Sequence, residues 1–304
     1  MTALEELIPL YLTACTVEGK TERTVQSYAE TSRHFLAAVQ TLGLPQEVGA
    51  FAPAHVYLFL ASVRERGVSA GTQHRRQREV KAFFSWCRRM DYIADNPFMR
   101  VPMVRREQKV VQPFSSEDIH RLLDAADPGT HTGCRMRALI YFLLDTGVRS
   151  SELVSIHLKD ILFEERRVRI LQGKGRKQRW TAISDVALDA LREYLDHFRG
   201  WQAGPLFQTV DGRPIPHHHM NVMFSRHGRK ARVTQVNPHR FRHTFATWAI
   251  RAHARELDVQ YLLGHSTSVM VRRYSATYDS EQAATNHASF SPAMQLAPPV
   301  TNDS

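Results

Sequence analysis

The sequence predicts a mainly α protein (α+β class) in two parts, of which the second also holds a small antiparallel three-stranded sheet. Helix start and stop signals recur along most of the 304 residues, whereas only residues 161–183 alternate apolar and polar positions as strands do. A chain of this length is expected to form about two domains. Its composition, 43% hydrophobic and 23% charged, is typical of globular proteins and excludes a disordered chain.

Helices are predicted throughout the first hundred residues. Thr21 is a suitable N-cap for a helix over residues 22–40. A second helix is predicted over residues 54–65, and a third follows the cap residue Ser69 and continues through residue 89. Four apolar residues of the third helix recur at helical spacing and should face a core, while its arginines should face solvent or a phosphate. The core-facing residues are Val80, Phe83, Phe84 and Cys87.

The second part begins with a helix start signal at Ser115, which precedes acidic residues and an apolar run. Residues 135–146 form a predicted buried helix that Gly147 ends. The three predicted strands lie within residues 161–183. Further helices are predicted over residues 186–198, 217–231 and 238–252.

These signals divide the chain into four segments. We expect a helical domain over residues 1–100, a linker over 101–112, a second domain over 113–284 and a tail over 285–304. The linker prediction rests on a basic, polar run without periodicity, which follows prolines that favour an extended chain.

Cysteine content and hydropathy narrow the class of protein. Cys15, Cys87 and Cys134 are odd in number and form no CxxC pair, which argues against a disulfide framework or a cysteine-based zinc site. Apolar runs such as residues 138–144 are too short to cross a bilayer. The first residues carry no basic segment of the kind that opens a secretory signal. We therefore expect a cytoplasmic protein without a membrane partner.

Basic charge is concentrated in two stretches. The chain has 40 basic and 30 acidic residues, a net charge of +10 and a pI near 9.8. Residues 64–106 hold eleven basic and four acidic residues, and residues 225–255 hold eight basic residues and no acidic one. Such clustering favours a nucleic-acid partner. The alternative is a solvated helix face that binds nothing.

Two short segments place basic residues on tightly defined backbone. Arg149 lies between a helix end and a helix start, where its guanidinium can bind a phosphate through two hydrogen bonds. Glu152 can orient it, although the two residues can also form a plain surface pair. Lys174 lies between Gly173 and Gly175 at a predicted hairpin tip, where it can approach a ligand or serve solubility alone.

Two further segments carry histidine, arginine and tyrosine. Asn237 can cap a helix that carries His239 and Arg242 on one face near its N-terminus, and free N–H groups there favour an anion. His265 follows the helix-ending Gly264. Tyr274 lies nine residues later in a basic setting, although a tyrosine is more often a core or interface residue.

Together these segments supply the groups that cleavage of a phosphodiester without a metal requires. Two arginines and two histidines can stabilise the charge of a pentacoordinate transition state. A tyrosine can serve as nucleophile once activated, and a lysine can protonate the leaving oxygen.

The chain resembles the tyrosine recombinases, or phage-type integrases, and the Xer proteins in particular. The resemblance covers roughly residues 5–280 and has five markers in the family's order. These are TGVRSSEL around Arg149, GKGRKQR around Lys174, HRFRHTFAT from His239, LLGHS at His265 and RRY ending at Tyr274.

The resemblance implies an N-terminal SAM-like core-binding domain and a C-terminal catalytic domain that clamp double-stranded DNA at a specific recombination site. It implies transesterification through a 3′-phosphotyrosyl bond, with no metal, cofactor or ATP. Arg149 and Arg242 would bind the scissile phosphate and Lys174 would be the general acid. His239 would be the general base or a phosphate ligand, His265 would hydrogen-bond the phosphate, and Tyr274 would be the nucleophile.

The same resemblance leads us to expect a homotetramer that binds two DNA sites and is associated with the nucleoid. It leaves open whether a second recombinase or an accessory protein is required. Only residues 280–288 of the C-terminal region offer a helix to donate to a neighbouring protomer. Eight basic residues are predicted to bind DNA: Arg75, Arg76, Arg78, Lys81, Arg105, Arg106, Lys177 and Arg179.

Four alternatives remain. A type IB topoisomerase has similar chemistry but does not exchange strands. A non-catalytic DNA-binding regulator would keep the fold without cleavage. Tyr278 is a rival nucleophile to Tyr274 by proximity. The run His217–His219 suggests a metal, but adjacent helical residues point about 100° apart and cannot converge on one ion.

Overall fold

A computed structural model describes residues 2–105, 111–171 and 178–264. The chain divides into two compact units, residues 1–109 and 110–304, each with a hydrophobic core of its own. The mainly helical class with a small sheet is confirmed, while the finer domain limits stay a prediction. None of the described helices is long and apolar enough to cross a membrane.

The N-terminal unit consists of helices in its described part. They are α1 (Leu4–Val17), α2 (Glu22–Thr41), α3 (Pro53–Glu65) and α4 (Ala70–Arg89), with short 3₁₀ turns at Val48–Ala50 and Pro97–Arg100. Both predicted caps are confirmed, because the Thr21 and Ser69 hydroxyls accept hydrogen bonds from the third residue after each. The predicted core face of α4 is buried as well.

Aromatic rings fill the core of this unit. Phe35 lies with its ring centroid 5.1 Å from that of Phe59, and Phe84 lies 5.2 Å from Phe98. Edge-to-face and tilted contacts of this kind add to the free energy gained from burial. The packing fixes the orientation of α4, and therefore of the basic residues on its other side.

The C-terminal unit is a helical body with one small sheet. Its helices are α5 (Ser116–Asp124), α6 (His131–Thr146), the single turn α7 (Ser150–Leu153), α8 (Asp185–Tyr194), α9 (His217–Lys230), α10 (Pro238–Arg251) and α11 (Glu256–Leu263). Its strands are β1 (Ile161–Leu162), β2 (Arg167–Leu171) and β3 (Gln178–Ala182). They pair antiparallel in the order β1-β2-β3, as the sequence predicts.

Helix α6 forms the centre of this unit. It packs against α8 on one side and α10 on another, and Leu139, Phe142 and Leu143 are fully buried. On α10, Phe241 packs into the same core. Because α6 and α10 share this core with Val168 and Ile170 of β2, the end of α6 is fixed relative to the start of α10.

Candidate active site

The end of α6 places Arg149. Gly147 ends the helix in the left-handed conformation with φ of +57°, as the sequence predicts. A Cβ at this position would lie 2.6 Å from the Phe245 ring and 2.7 Å from a Leu263 methyl group. The close packing therefore joins the end of α6 to α10 and α11, and Arg149 follows two residues later.

The first turn of α10 places Arg242. The Asn237 side chain accepts a hydrogen bond from the Arg240 N–H at 3.0 Å, which confirms the predicted cap. Arg240 anchors the turn further, because its guanidinium lies 4.0 Å from the centroid of the Phe114 ring and donates to the carbonyl of Thr234 at 2.7 Å. Arg242 lies on the inner side of this turn with 3% of its surface exposed.

The last turn of α11 brings the arginines together. Arg242 Nη2 donates to the Leu263 carbonyl at 2.8 Å, and its Nη1 donates to the Gly147 carbonyl at 2.8 Å. Arg149 Nη2 donates to the Gly264 carbonyl at 3.1 Å. The two guanidinium groups predicted to bind one phosphate are therefore held on neighbouring carbonyls. These bonds fix their positions before any ligand arrives.

A buried carboxylate holds Arg149 from the other side. Glu152 Oε1 accepts from Arg149 Nη1 at 2.9 Å, and Oε2 accepts from the Arg149 backbone N–H at 2.9 Å. Arg179 on β3 binds the same carboxylate through Nη1 and Nη2, both at 2.8 Å. Burial raises the pKa of Glu152, but the hydrogen bonds from Arg179 and Arg149 outweigh it and lower that pKa to about 2. The site therefore contains a carboxylate that is ionised at neutral pH.

Two histidines share one side of α10. The ring centroids of His239 and His243 lie 5.4 Å apart at an angle of 81°. Partial burial and the charge of Arg242 lower the pKa of His239. Burial, His239 and Arg242 together lower the pKa of His243 to about 4. Both imidazoles are consequently neutral at pH 7, which is the form that can accept a proton.

Several predicted residues lie outside the described residues, so the structure neither places nor tests them. They are Arg106, Lys174, Lys177, His265, Tyr274 and the rival Tyr278.

The histidine run begins α9. His217 Nε2 lies 3.0 Å from the Ser150 hydroxyl, next to Arg149. In the part of the chain that the structure describes, no group of three or more His, Cys, Asp or Glu residues is placed to hold a metal ion.

The described residues predicted to bind DNA have different surroundings. Arg78 is 63% exposed on α4, and Arg105 is also exposed, whereas Arg75 and Lys81 are half-buried. The expectation that the arginines of α4 face outward is wrong for Arg76, of which only 5% is exposed. Burial lowers the pKa of Arg76, as do the nearby charges of Arg75 and Arg66.

Arg179 was predicted to bind DNA, but the structure places it differently. Its side chain is 10% exposed and its Nε donates to the Leu262 carbonyl at 3.0 Å. The sequence pattern favours the opposite orientation, because the apolar residues of β3 are Trp180 and Ala182, but the structure places Arg179 on the same face as the buried Thr181. The exposed neighbour Trp180 points to the other face.

Comparison with known proteins agrees with this arrangement. Residues 112–281 match the Phage integrase family, and residues 7–93 match the Phage integrase N-terminal SAM-like domain. The tyrosine recombinase XerC of Staphylococcus carnosus (strain TM300) is 30% identical over 259 residues, which cover 84% of this chain and 86% of that protein. XerC of Bacillus subtilis (strain 168) is 27% identical over 286 residues, 90% of this chain and 93% of that protein.

Solved structures share the fold. A lambda integrase dimer bound to a COC′ core site superposes with a TM-score of 0.74 at 14% identity, over 88% of this chain and 97% of that one. The XerH recombinase bound to a palindromic difH substrate superposes with a TM-score of 0.73 at 21% identity, over 87% of this chain and 79% of that one. The fold, the family matches and the arginines held around the end of α11 agree with one another, and the chain belongs to the phage integrase family of tyrosine recombinases.

Proposed function

We propose that this protein is a site-specific recombinase that cleaves and rejoins duplex DNA through a covalent 3′-phosphotyrosyl intermediate. The observation that carries the proposal is the pair formed by Arg149 and Arg242, whose guanidinium groups are anchored on the adjacent carbonyls of Gly264 and Leu263. A phosphodiester is an anion whose charge increases on its equatorial oxygens during displacement. Two fixed guanidinium groups stabilise that charge without reorganising.

The remaining steps require a nucleophile, a base and an acid. In the proposed reaction the Tyr274 oxygen attacks phosphorus and forms a phosphotyrosyl bond, while the bond to the 5′-oxygen breaks. The Tyr274 proton passes to His239, whose lowered pKa keeps its imidazole neutral and able to accept a proton. Lys174 protonates the departing 5′-oxygen, and His265 donates a hydrogen bond to the phosphate. The ester conserves the energy of the cleaved bond, so that a second DNA end can attack it and exchange strands.

DNA binding is assigned mainly to the N-terminal unit and the linker. The exposed Arg78 and Arg105 are suited to phosphates, and salt-dependent affinity should follow from such contacts. The same role is proposed for Arg75, Lys81, Arg106 and Lys177.

Strand exchange further requires two sites, and we propose a homotetramer on two DNA sites in the cytoplasm at the nucleoid. The solved relatives are an integrase dimer on a core site and a recombinase on its difH substrate. A second recombinase or an accessory protein is compatible with this arrangement.

Covalent trapping tests the proposal. Fragments of the source genome that the purified protein binds would be selected, and a nick placed near the cleavage position would trap the adduct on a denaturing gel. We expect a protein–DNA adduct with the wild type and with Tyr278→Phe, but not with Tyr274→Phe. An adduct that survives Tyr274→Phe would refute the assignment of the nucleophile.

A two-site assay then separates the neighbouring activities. Exchange between two labelled copies of the bound site is expected from a recombinase. Relaxation of supercoiled plasmid without exchange would instead indicate a topoisomerase, and specific binding without any adduct would indicate a DNA-binding regulator.

A further inference from the structure

The last turn of α11 has three carbonyls in succession that accept hydrogen bonds from three different arginines. Leu262 accepts from Arg179 at 3.0 Å, and the next two carbonyls accept from Arg242 and Arg149. Carbonyls at a helix C-terminus lack partners within the helix and carry partial negative charge. The three guanidinium groups satisfy them, so this helix end and the arginines hold each other in place.

Arg179 is engaged more completely within the protein than Arg149 is. Each of its three nitrogens donates within the protein: Nε to Leu262, and Nη1 and Nη2 to Glu152. Its side chain is 10% exposed, whereas that of Arg149 is 41% exposed. A guanidinium engaged within the protein on every nitrogen is poorly placed to bind a DNA phosphate.

The partner of Arg179 is the carboxylate that orients Arg149. Glu152 Oε1 receives both Arg149 Nη1 and Arg179 Nη1, so the position of this oxygen depends on both arginines. A planar guanidinium that binds both carboxylate oxygens fixes their plane as well as their position. Without Arg179, the carboxylate would lose the donor pair that sets this plane, and Arg149 would lose a fixed acceptor.

We propose that Arg179 is a positioning residue, which fixes Glu152 and the end of α11 and thereby holds Arg149 in place for the scissile phosphate. The inference rests on the proposed function of Arg149. It replaces the expectation that Arg179 binds DNA directly, and it assigns the strand after the predicted hairpin a role in ordering the phosphate-binding arginines.

The neighbouring strand provides a matched control. Arg169 on β2 donates from Nε and Nη2 to Asp160 Oδ1 at 3.0 and 2.7 Å, and Asp160 is buried. It is therefore another strand arginine on a buried carboxylate of the same unit. Neither Arg169 nor Asp160 has a described hydrogen bond to Arg149, Arg242 or α11. Loss of this pair should affect stability and leave the phosphate-binding arginines in place.

The experiment compares Arg179→Gln, Arg179→Lys and Arg169→Gln with the wild type. For each protein, the affinity for nicked site DNA is measured at several salt concentrations, and the rate of adduct formation is measured at saturating DNA. We expect both Arg179 variants to slow adduct formation about 10²-fold, the size of effect that a small misplacement of a reacting group produces. The DNA affinity of both Arg179 variants, and the salt dependence of that affinity, should equal those of the wild type. Arg169→Gln should form the adduct at the wild-type rate.

The lysine variant separates positioning from charge. Lysine keeps the positive charge but cannot bind both carboxylate oxygens in one plane, so Arg179→Lys should be as slow as Arg179→Gln. If Arg179 instead contacts DNA, Arg179→Gln will weaken binding and reduce the salt slope by about one, and lysine will restore both. That result would overturn the proposal.

The control variant gives a further decisive outcome. If Arg169→Gln slows adduct formation as much as Arg179→Gln, the effect is a general loss of structure and the positioning role is refuted. Equal thermal unfolding midpoints of the two glutamine variants would exclude differential folding as the cause of a rate difference. Failure of the proposed function is distinguishable, because the wild type itself would then form no Tyr274-dependent adduct.

Discussion

The exposed arginines of α4 and the arginines around the end of α11 share one chemistry but lie in different surroundings. Arg78 on α4 is 63% exposed and lies 3.7 Å from Glu79. Arg242 is almost fully buried and holds two backbone carbonyls at 2.8 Å. An exposed, weakly paired guanidinium gains little from its protein partner and is available to a polyanion. A buried and anchored one is a fixed part of the site. We therefore expect the first kind to govern DNA affinity and the second kind to govern the rate of cleavage.

The largest effect is expected from Arg242→Gln. Loss of one preorganised donor to a developing oxyanion typically costs about 10²–10³ in rate, and adduct formation at saturating DNA should fall by that factor. Affinity for the site should change little, because one buried guanidinium contributes few of the phosphate contacts. Arg192→Gln, which removes a partly exposed arginine that pairs with Asp189 on α8 and lies over the Phe163 ring, is the control and should cleave as fast as the wild type.

Acid should remove the contribution of Glu152 to stability. Its pKa is about 2 in the folded protein and near its ordinary value of 4.5 in the unfolded chain. Its contribution is therefore present above pH 4.5 and is lost as the pH falls toward 2. The lowered pKa corresponds to about 3 kcal/mol. The difference in unfolding free energy between wild type and Glu152→Gln should shrink by that amount between pH 4.5 and 2.

Glu18, an exposed carboxylate of the N-terminal unit, serves as the comparison for the pH dependence of Glu152. A hydrogen bond from Lys20 lowers the pKa of Glu18, but Glu18 and its partners Lys20 and Arg89 are open to solvent. The difference between wild type and Glu18→Gln should change far less over the same pH range. If the difference in unfolding free energy changes equally for Glu18 and Glu152, the distinction between a buried and an exposed carboxylate–arginine pair is contradicted.

Gly147→Ala should destabilise the C-terminal unit through packing. The added Cβ would meet Phe245 and Leu263 at under 3 Å in a left-handed conformation. Gly43 has a similar φ of +59° but open space around it, so Gly43→Ala isolates the backbone strain. We expect Gly147→Ala to cost about 2 kcal/mol more than Gly43→Ala in chemical denaturation. Equal losses would show that the end of α6 is not tightly packed.

The smallest effect is expected from Arg78→Gln. Loss of one phosphate contact should lower the affinity for DNA severalfold and reduce the slope of log K against log salt by about 0.9. Cleavage at saturating DNA should keep the wild-type rate. Arg33→Gln, which removes an exposed arginine of α2 outside the basic stretch, should leave both the affinity and the slope unchanged.

Much of the fold was predictable because its signals are local. Caps such as Ser69 and Asn237, the stop at Gly147 and the alternation along β2 each depend on neighbouring residues. The family motifs likewise identified Arg149 and Arg242 before any geometry was known. Helix α1 has a weak sequence signal, since no side chain caps its start and it contains Pro9.

The contacts that organise the site were not predictable from the sequence alone. Arg149 and Gly264 are 115 residues apart along the chain, and Arg179 and Leu262 are 83 apart. No local sequence pattern predicts that the end of α11 contacts both Arg149 and Arg179. Arg76 shows the same limit in the N-terminal unit, because helical periodicity placed it outside the core while tertiary packing buries it.

The most direct test of the division between the two kinds of arginine is the double variant Arg78→Gln/Arg242→Gln, measured with both single variants in the trapping assay. We expect the affinity and salt slope of the double variant to equal those of Arg78→Gln, and its cleavage rate at saturating DNA to equal that of Arg242→Gln, because separate roles give additive effects. If Arg78→Gln also slows cleavage at saturating DNA, or Arg242→Gln mainly weakens binding, the division is contradicted.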